Sequence, residues 1–276
     1  MKKIVICNQK GGVGKTSITS NLIAGLNYYL PEKRKLAIDL DPQGATSFIL
    51  GDEDPDYIKL DKTVYRLFQD EPHTPRLKKA PNTFHKRDCI AHECSRFDNT
   101  DIIPANILLF KAQQNKELIG ENLRLQTYLS NFKLELEYDI AIIDTPPNLD
   151  LFVMNALRAA DYVLIPTDLE FLSVRGITVL FDSIDDALKD NPDLKILGVL
   201  PNKLNNKLRE HKEIMDLLRN ACGDILLESL SINTNAPLSR AIKSRKTIFE
   251  ADKKARSYRQ FKDLTAWVID TCGLDE

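Results

Sequence analysis

A glycine-rich stretch at residues 10–17, KGGVGKTS, constrains the fold of this 276-residue chain more than any other feature. It follows an apolar run at residues 3–8 and opens a helical stretch at residues 15–30. Glycines let the backbone curl so that successive N–H groups point at phosphate oxygens, and the positive end of the following helix favours the same anion. In such a loop Lys15 reaches the β- and γ-phosphates and the Thr16 hydroxyl binds Mg²⁺. The predicted nucleotide contacts are Lys10, Gly11, Gly12, Val13, Gly14, Lys15, Thr16 and Ser17.

Continuous apolar runs of strand length alternate with longer helical stretches along the chain. Runs that are apolar throughout are typical of strands covered on both faces, and their alternation with helices predicts a parallel sheet. We therefore expect an α/β fold with a mostly parallel central sheet and helices on both faces, in a single domain spanning 1–276. The predicted strands are 3–8, 35–39, 138–144, 162–166 and 196–200, and the predicted helices are 15–30, 105–131, 150–160, 174–189, 206–222 and 256–270.

The segment at about 69–99 departs from this alternation and is predicted to be an inserted surface excursion. It has few aliphatic residues and three prolines, which is typical of a loop rather than a further domain. It also holds four side chains that can bind zinc, but their irregular spacing favours an ordinary loop over a structural zinc site. These side chains are His85, Cys89, His92 and Cys94.

The bulk composition describes an ordinary globular chain. Apolar residues make up 43% and charged residues 28%, and the formal net charge of −2 restricts any contact with nucleic acid to a local basic patch. No apolar run approaches the ~18–20 residues that cross a bilayer. The five cysteines are scattered without a CxxC pattern, as expected for reduced thiols. We therefore predict a cytoplasmic protein.

Two further strand ends carry carboxylates. Asp39 and Asp41 lie in the sequence IDLDPQG, and Asp144 ends the apolar run before TPP. Neighbouring parallel strands place their carboxyl ends at one crevice, so these side chains are expected to meet the phosphate loop. A lone aspartate at such a position is more often a helix cap, but three beside one phosphate loop indicate a site for Mg²⁺.

The variant loop KGGVGKTS, with Gln9 where the general pattern has glycine, resembles the ParA/MinD group of Walker-type ATPases, as do the DLDPQG and IIDTPP strand ends. Residues 148–177 and 239–264 resemble further segments of ParA proteins, so the likeness covers most of the chain. It implies a P-loop NTPase fold with a deviant Walker A motif and slow ATP hydrolysis that a partner protein stimulates.

The resemblance also implies roles for single residues. Lys10 matches the signature lysine that reaches across an ATP-sandwiched dimer, where a second cation stabilises the phosphates like an arginine finger. Asp41 matches the aspartate that orients the attacking water, which makes Lys10, Lys15 and Asp41 the catalytic candidates. Asp144 matches the Walker B carboxylate, so that Thr16, Asp144 and Asp39 are the candidate Mg²⁺ ligands and neighbours. Asn202, after a strand, is a candidate adenine contact.

ParA-like proteins bind DNA without sequence preference as ATP-bound dimers and release it when a ParB-like partner triggers hydrolysis. Residues 240–262 support this expectation, since they hold nine Lys/Arg and two acidic residues, a local charge of +7 against −9 for the rest. Such a patch can bind several DNA phosphates, although a solvated basic helix face would have the same composition. The candidate DNA contacts are Arg240, Lys243, Arg245, Lys246 and Arg219, with Lys207 as a further one.

Other functions remain open at this point. A ParA-like ATPase that positions a protein cluster or an organelle would carry the same motor as one that segregates plasmid or chromosome DNA. A MinD-like membrane switch needs a basic amphipathic helix at the carboxyl end, whereas this chain ends LTAWVIDTCGLDE. The expected partners are a second copy of the chain, non-specific DNA and a ParB-like or adaptor protein, with no membrane, in a nucleoid-associated cytoplasmic protein.

Overall fold

The computed structural model describes residues 1–52, 62–68, 91–94, 96–115 and 123–275, with the backbone alone for residues 91–93. His85 and Cys89 of the predicted zinc-binding set lie outside these residues, as does the side chain of His92. No helix among the described residues is long and apolar enough to cross a membrane.

The described residues form one sheet of seven strands in the order β3-β4-β2-β5-β1-β6-β7. All neighbours are parallel except β3, which pairs antiparallel with β4 at one edge. The predicted mostly parallel sheet is confirmed, and it contains two strands, β3 and β4, that the apolar pattern did not indicate. The strands are β1 Lys2–Ile6, β2 Lys35–Asp39, β3 Ala91–Glu93, β4 Thr100–Ile103, β5 Ile140–Asp144, β6 Tyr162–Asp168 and β7 Lys195–Asn202.

Helices cover both faces of the sheet, as predicted. The predicted helix over 105–131 is wrong as a single element, because its described parts are two helices and a short 3₁₀ turn. The α-helices are α1 Lys15–Tyr29, α2 Ala45–Leu50, α3 Phe110–Gln113, α4 Arg124–Asn131, α5 Leu151–Ala159, α6 Phe171–Leu188, α7 Arg209–Cys222, α8 Ala236–Lys243, α9 Ile248–Ala251 and α10 Arg256–Cys272.

Side chains that alternate along each strand build two separate cores. Val5 and Ile143 face the core under α4 to α7, whereas Ile4 and Ile142 face the core under α1 and α10. Because both faces are buried, the strands lack polar positions and appear in the sequence as continuous apolar runs.

The described end of the predicted excursion belongs to the protein interior. β3 joins the sheet, and Cys94 and Phe97 are 1% and 5% exposed in the core beneath α1 and α10. Burial raises the pKa of the Cys94 thiol to about 12, so it stays protonated at neutral pH. Cys94 therefore acts as an apolar core residue here.

The sheet order places β1 between β5 and β6, with β2 on the far side of β5. In this register Asp144 lies beside Ile6 of β1 on one side and Asp39 of β2 on the other. The loop after β1 thus starts beside both aspartates. Ligands bind at this carboxyl edge in open α/β sheets.

Candidate functional site

The glycine-rich loop lies at the carboxyl edge of the sheet and opens α1. Gly12 and Gly14 have φ of +77° and +98°, a backbone region that side chains disfavour. A Cβ atom on Gly14 would lie 2.2 Å from Nδ2 of Asn202, whose amide donates to the carbonyl of Val13 at 2.7 Å. Asn202 is 5% exposed and its Oδ1 accepts from the Lys203 N–H, so this side chain holds the loop from β7. Its predicted adenine contact stays a prediction.

Lys15 is folded back over the loop. Its ammonium donates to the carbonyls of Asn8 and Lys10 at 2.9 and 3.2 Å, and the residue is 6% exposed. Burial lowers the pKa of Lys15, while the nearby charge of Asp144 acts against that shift. A cation held only by carbonyl oxygens is well placed to move to an anionic ligand above the loop.

Asp144 accepts two hydroxyl hydrogen bonds from opposite sides. Thr16 Oγ1 donates to its Oδ2 at 2.9 Å, and Thr46 Oγ1 donates to the same atom at 2.6 Å. Asp39 lies beside it and accepts from the Ser47 N–H and hydroxyl at 2.8 and 2.7 Å. Both carboxylates are fully buried. The predicted ligands Thr16, Asp144 and Asp39 therefore converge.

Burial raises the pKa of Asp39 and of Asp144, and repulsion from Asp144 adds to the shift at Asp39. Burying two neighbouring carboxylates costs free energy unless a cation compensates their charge. Within the described residues, no three acidic, histidine or cysteine side chains converge closely enough to hold a metal ion by themselves. Mg²⁺ suits this geometry, since it takes one or two carboxylates and completes its shell with phosphate oxygens and water.

Asp41 lies at the rim of this cluster and is partly exposed. Its backbone N–H donates to Asp39 Oδ1 at 3.0 Å, and its own Oδ1 accepts from the Gln43 N–H at 2.9 Å. Burial raises the pKa of Asp41, and the charge of Lys15 acts against that shift. The carboxylate is thus held next to the loop while remaining accessible to solvent.

Lys10 points across its own chain toward the start of α6. Its ammonium donates to Asp168 Oδ1 at 2.9 Å, to Glu170 Oε2 at 2.5 Å and to the Ser173 hydroxyl at 3.0 Å. Partial burial lowers the pKa of Lys10, but its carboxylate partners outweigh that effect and the net shift is upward. The preceding Gln9 donates to the Gly176 carbonyl on α6 at 2.9 Å. The side chains of both residues therefore bind the loop to α6.

The predicted basic surface divides into exposed and paired cations. Arg240, Lys243 and Lys246 are exposed, as is Lys207 on another loop. Arg219 is bound to Glu228 at 2.7 and 2.6 Å and also contacts Asp216, so its charge is compensated within the protein. Arg245 is partly buried and donates to carbonyls of α2 and the residue after it.

Sequence reasoning missed the polar partners that orient the predicted residues. Thr46 and Ser47 lie two and three residues after the DPQG turn, and nothing in their sequence pattern indicated their contacts with Asp144 and Asp39. Asp168, Glu170 and Ser173 are ~160 residues from Lys10 in sequence, and only the β1–β6 pairing brings them together.

Several known proteins resemble this chain in sequence. A family described as an AAA domain matches residues 1–196. The sporulation initiation inhibitor protein Soj of Bacillus subtilis is 33% identical over 265 residues, which cover 95% of this chain and 96% of Soj. The chromosome partitioning protein ParA of Myxococcus xanthus is 33% identical over 266 residues, which cover 95% of this chain and 85% of that protein.

Solved structures share the fold. A cobyrinic acid a,c-diamide synthase from Mycobacterium smegmatis, solved with ADP and magnesium, is 31% identical with a TM-score of 0.65, over 80% of this chain and 82% of its own. A plasmid partition protein from Borrelia burgdorferi is 26% identical with a TM-score of 0.65, over 90% of this chain and 96% of its own. The similarity in fold thus extends over most of the chain.

Proposed function

The chain belongs to the ParA/Soj family of partition ATPases, and from this premise we propose that it is an ATP-dependent switch that segregates plasmid or chromosome DNA. Mg-ATP drives formation of a sandwich dimer, the dimer binds DNA without sequence preference, and a ParB-like partner stimulates hydrolysis and release. The observation that carries the proposal is the buried cluster in which the Thr16 and Thr46 hydroxyls meet Asp144 beside Asp39 at the phosphate loop.

ATP and Mg²⁺ are the proposed cofactors. The Thr16 hydroxyl and Asp144 would hold the ion. Asp39 would lie behind these two residues, hydrogen-bonded to Ser47 of α2. When bound, the ion supplies positive charge that compensates both the carboxylates and the phosphates. The ADP and magnesium in the M. smegmatis structure support this assignment.

Two residues of the loop region serve hydrolysis in this proposal. The Lys15 ammonium moves from the Asn8 and Lys10 carbonyls to the phosphates. A charge-assisted hydrogen bond there contributes about 1.5–3 kcal/mol. Asp41 orients the attacking water, a role that suits a partly exposed carboxylate bonded to the loop backbone.

The DNA-binding surface that we propose consists of the exposed cations around α8. Arg240 and Lys243 lie in the last turn of that helix, and Lys246 follows it. Each lysine or arginine that neutralises a phosphate releases counterions, so binding should weaken as salt rises. Arg219 contributes less because Glu228 and Asp216 already compensate its charge.

The final helix supports DNA rather than a membrane as the binding surface. Phe261, Leu264 and Val268 of α10 are buried in the core that α1 shares. Because the apolar face of α10 is packed inside the protein, it could insert into a lipid interface only if α10 detached from α1. We therefore propose a cytoplasmic, nucleoid-associated protein.

The proposal is tested by binding to a labelled duplex of arbitrary sequence at several salt concentrations, measured by fluorescence anisotropy with Mg-ATP, Mg-ADP or no nucleotide. We expect tight binding only with Mg-ATP and a log–log salt slope of about −0.9 for each phosphate neutralised. Equal binding in all three nucleotide conditions, or none at any salt concentration, would overturn the proposal.

Three variants separate the steps, with DNA binding followed in the same assay and hydrolysis followed by phosphate release. Lys15→Ala should remove the ATP dependence by weakening nucleotide binding ~10–100-fold, the value of a lost charge-assisted hydrogen bond. Asp41→Ala should keep ATP-dependent DNA binding while phosphate release falls ~10²-fold or more. Lys189→Ala is the control, since Lys189 is an exposed lysine paired with Asp186 on α6.

A further inference from the structure

The short helix α2 is bonded at its beginning to both buried carboxylates. Thr46 donates its hydroxyl to Asp144 at 2.6 Å, and Ser47 donates its N–H and hydroxyl to Asp39 at 2.8 and 2.7 Å. Gly44, with φ of +61°, is the N-cap that precedes the helix and ends the turn that contains Asp41. A change in the position of these carboxylates is therefore passed directly to α2.

The far end of α2 is held by two arginines. Arg245 donates through Nε to the Phe48 carbonyl at 2.8 Å and through Nη2 to the Gly51 carbonyl at 3.1 Å, and its guanidinium lies 4.5 Å from the Phe48 ring centre. Arg96 donates to the Ile49 carbonyl and, at 2.7 Å, to the carbonyl of Arg245 itself. Carbonyls at a helix end lack partners within the helix, and these two side chains supply them.

A second chain of hydrogen bonds reaches the same turn from the phosphate loop. The amide of Asn21 accepts from the Ile248 N–H at 2.8 Å and donates to the Ser17 carbonyl at 2.7 Å. Ile248 is the first residue of α9, which immediately follows Arg245 to Thr247. The carboxylate cluster, through α2, and the phosphate loop, through Asn21, are thus both connected to the short turn of residues 245–247.

That turn holds the exposed Lys246 and follows α8, whose last turn carries the exposed Arg240 and Lys243. Arg245 itself has φ of +54°, a conformation that costs a residue other than glycine free energy and is retained where the surroundings impose it. Its neighbours Lys243 and Lys246 are exposed, whereas the Arg245 side chain is directed at α2. The backbone here aims one arginine inward and two lysines outward.

We propose that Arg245 is a positioning residue that couples the nucleotide site to the DNA-binding surface through α2, rather than a contact to DNA. This inference rests on the proposed function. Binding of Mg-ATP shifts the bonded carboxylates and α2, Arg245 transmits that shift to the turn, and the turn places Lys243 and Lys246 for phosphate contact. Coupling between two sites acts equally in both directions, so DNA should also tighten ATP binding.

Two pairs of substitutions distinguish positioning from contact. Arg245→Lys keeps the charge but cannot donate to two carbonyls at once, whereas Arg245→Gln removes the charge. If Arg245 positions the turn, both variants should reduce the ratio of DNA affinities with ATP and ADP by ~5-fold or more and leave the salt slope unchanged. Lys246→Gln should instead lower the slope by about 0.9, whereas Lys189→Gln, at an exposed lysine paired with Asp186 away from the basic surface, should behave as the parent protein.

Phe48→Leu provides a second test from the α2 side. It removes the ring under the guanidinium, so it should lower the same affinity ratio without touching a basic residue, and the melting temperature confirms that each variant is folded. The inference is overturned if Arg245→Lys keeps the parental ratio, or if Arg245→Gln lowers the salt slope as Lys246→Gln does. A parent protein that binds DNA equally with ATP and ADP would overturn the proposed function as well.

Discussion

At the scale of single residues, Lys10 is the side chain whose environment differs most from its proposed role. A lysine that serves a partner's nucleotide must extend away from its own chain, yet here its ammonium contacts Asp168, Glu170 and Ser173. The Asp168 side chain is 10% exposed and that of Glu170 is 66% exposed. These contacts must break before Lys10 can cross to a second copy, so they oppose dimerisation.

Glu170→Gln should therefore favour the dimer. An exposed ion pair contributes about 0–1 kcal/mol and two such pairs break per dimer, so the protein concentration needed for half-dimerisation with Mg-ATP should fall up to ~30-fold. Light scattering over a concentration series measures this, with Glu213→Gln as the control, since Glu213 forms an exposed pair with Arg209 at 3.0 Å. Equal dimerisation of the two variants, or a dimer of normal strength in Lys10→Ala, would contradict the assigned role.

At the scale of helices, Gly25 allows α1 and α10 to approach each other closely. A Cβ atom at this position would lie 2.1 Å from Thr265 Oγ1 and 3.0 Å from both Thr265 Cβ and Cγ2. Rotation of the threonine cannot relieve all three contacts, because Cβ itself is one of them. The two helices enclose the core that also supports the phosphate loop.

Gly25→Ala should destabilise the protein by separating the two helices. Overpacking costs about 1–3 kcal/mol, and the better helix propensity of alanine recovers up to about 1 kcal/mol. The double variant Gly25→Ala/Thr265→Gly moves the glycine to the facing helix and should recover most of the loss. Urea unfolding followed by circular dichroism measures both. A double variant less stable than Gly25→Ala alone would show that this contact is not the cause.

Elements differed in how far the sequence could predict them. The central strands were predictable because burial on both faces leaves an unbroken apolar run, and α1 because the glycine-rich loop opens it. β4, with only four residues, and β3, with three, offer too little pattern. α2 was missed because its six residues are stabilised by hydrogen bonds to Asp39 and Asp144 rather than by an apolar stripe. The convergence of Thr16, Asp39 and Asp144 was predictable from strand ends, but the contacts of Lys10 and Arg245 depend on segments distant in sequence.

At the scale of the whole molecule, charge is divided unevenly between the proposed DNA-binding surface and the rest of the chain. The basic segment 240–262 carries +7 and the remainder −9, and the buried carboxylates of the proposed nucleotide site are part of that negative remainder. A triphosphate in this site would lie near the carboxyl groups of Asp39, Asp41 and Asp144. Lys15 supplies the compensating positive charge in the loop. We therefore expect a divalent cation to accompany the nucleotide.

Thermal unfolding should reveal that requirement directly. At 100 times its dissociation constant, Mg-ATP should stabilise the fold by about 2.7 kcal/mol, which corresponds to an increase of roughly 5 °C or more in melting temperature. ATP with EDTA should give a much smaller shift, because the buried carboxylates then repel the phosphates without compensation. Lys15→Ala, whose binding is expected to be ~10–100-fold weaker, should show half the parental shift or less, whereas Lys189→Ala should follow the parent. An equal shift with and without the metal would mean that Asp144 and Asp39 do not form a magnesium site.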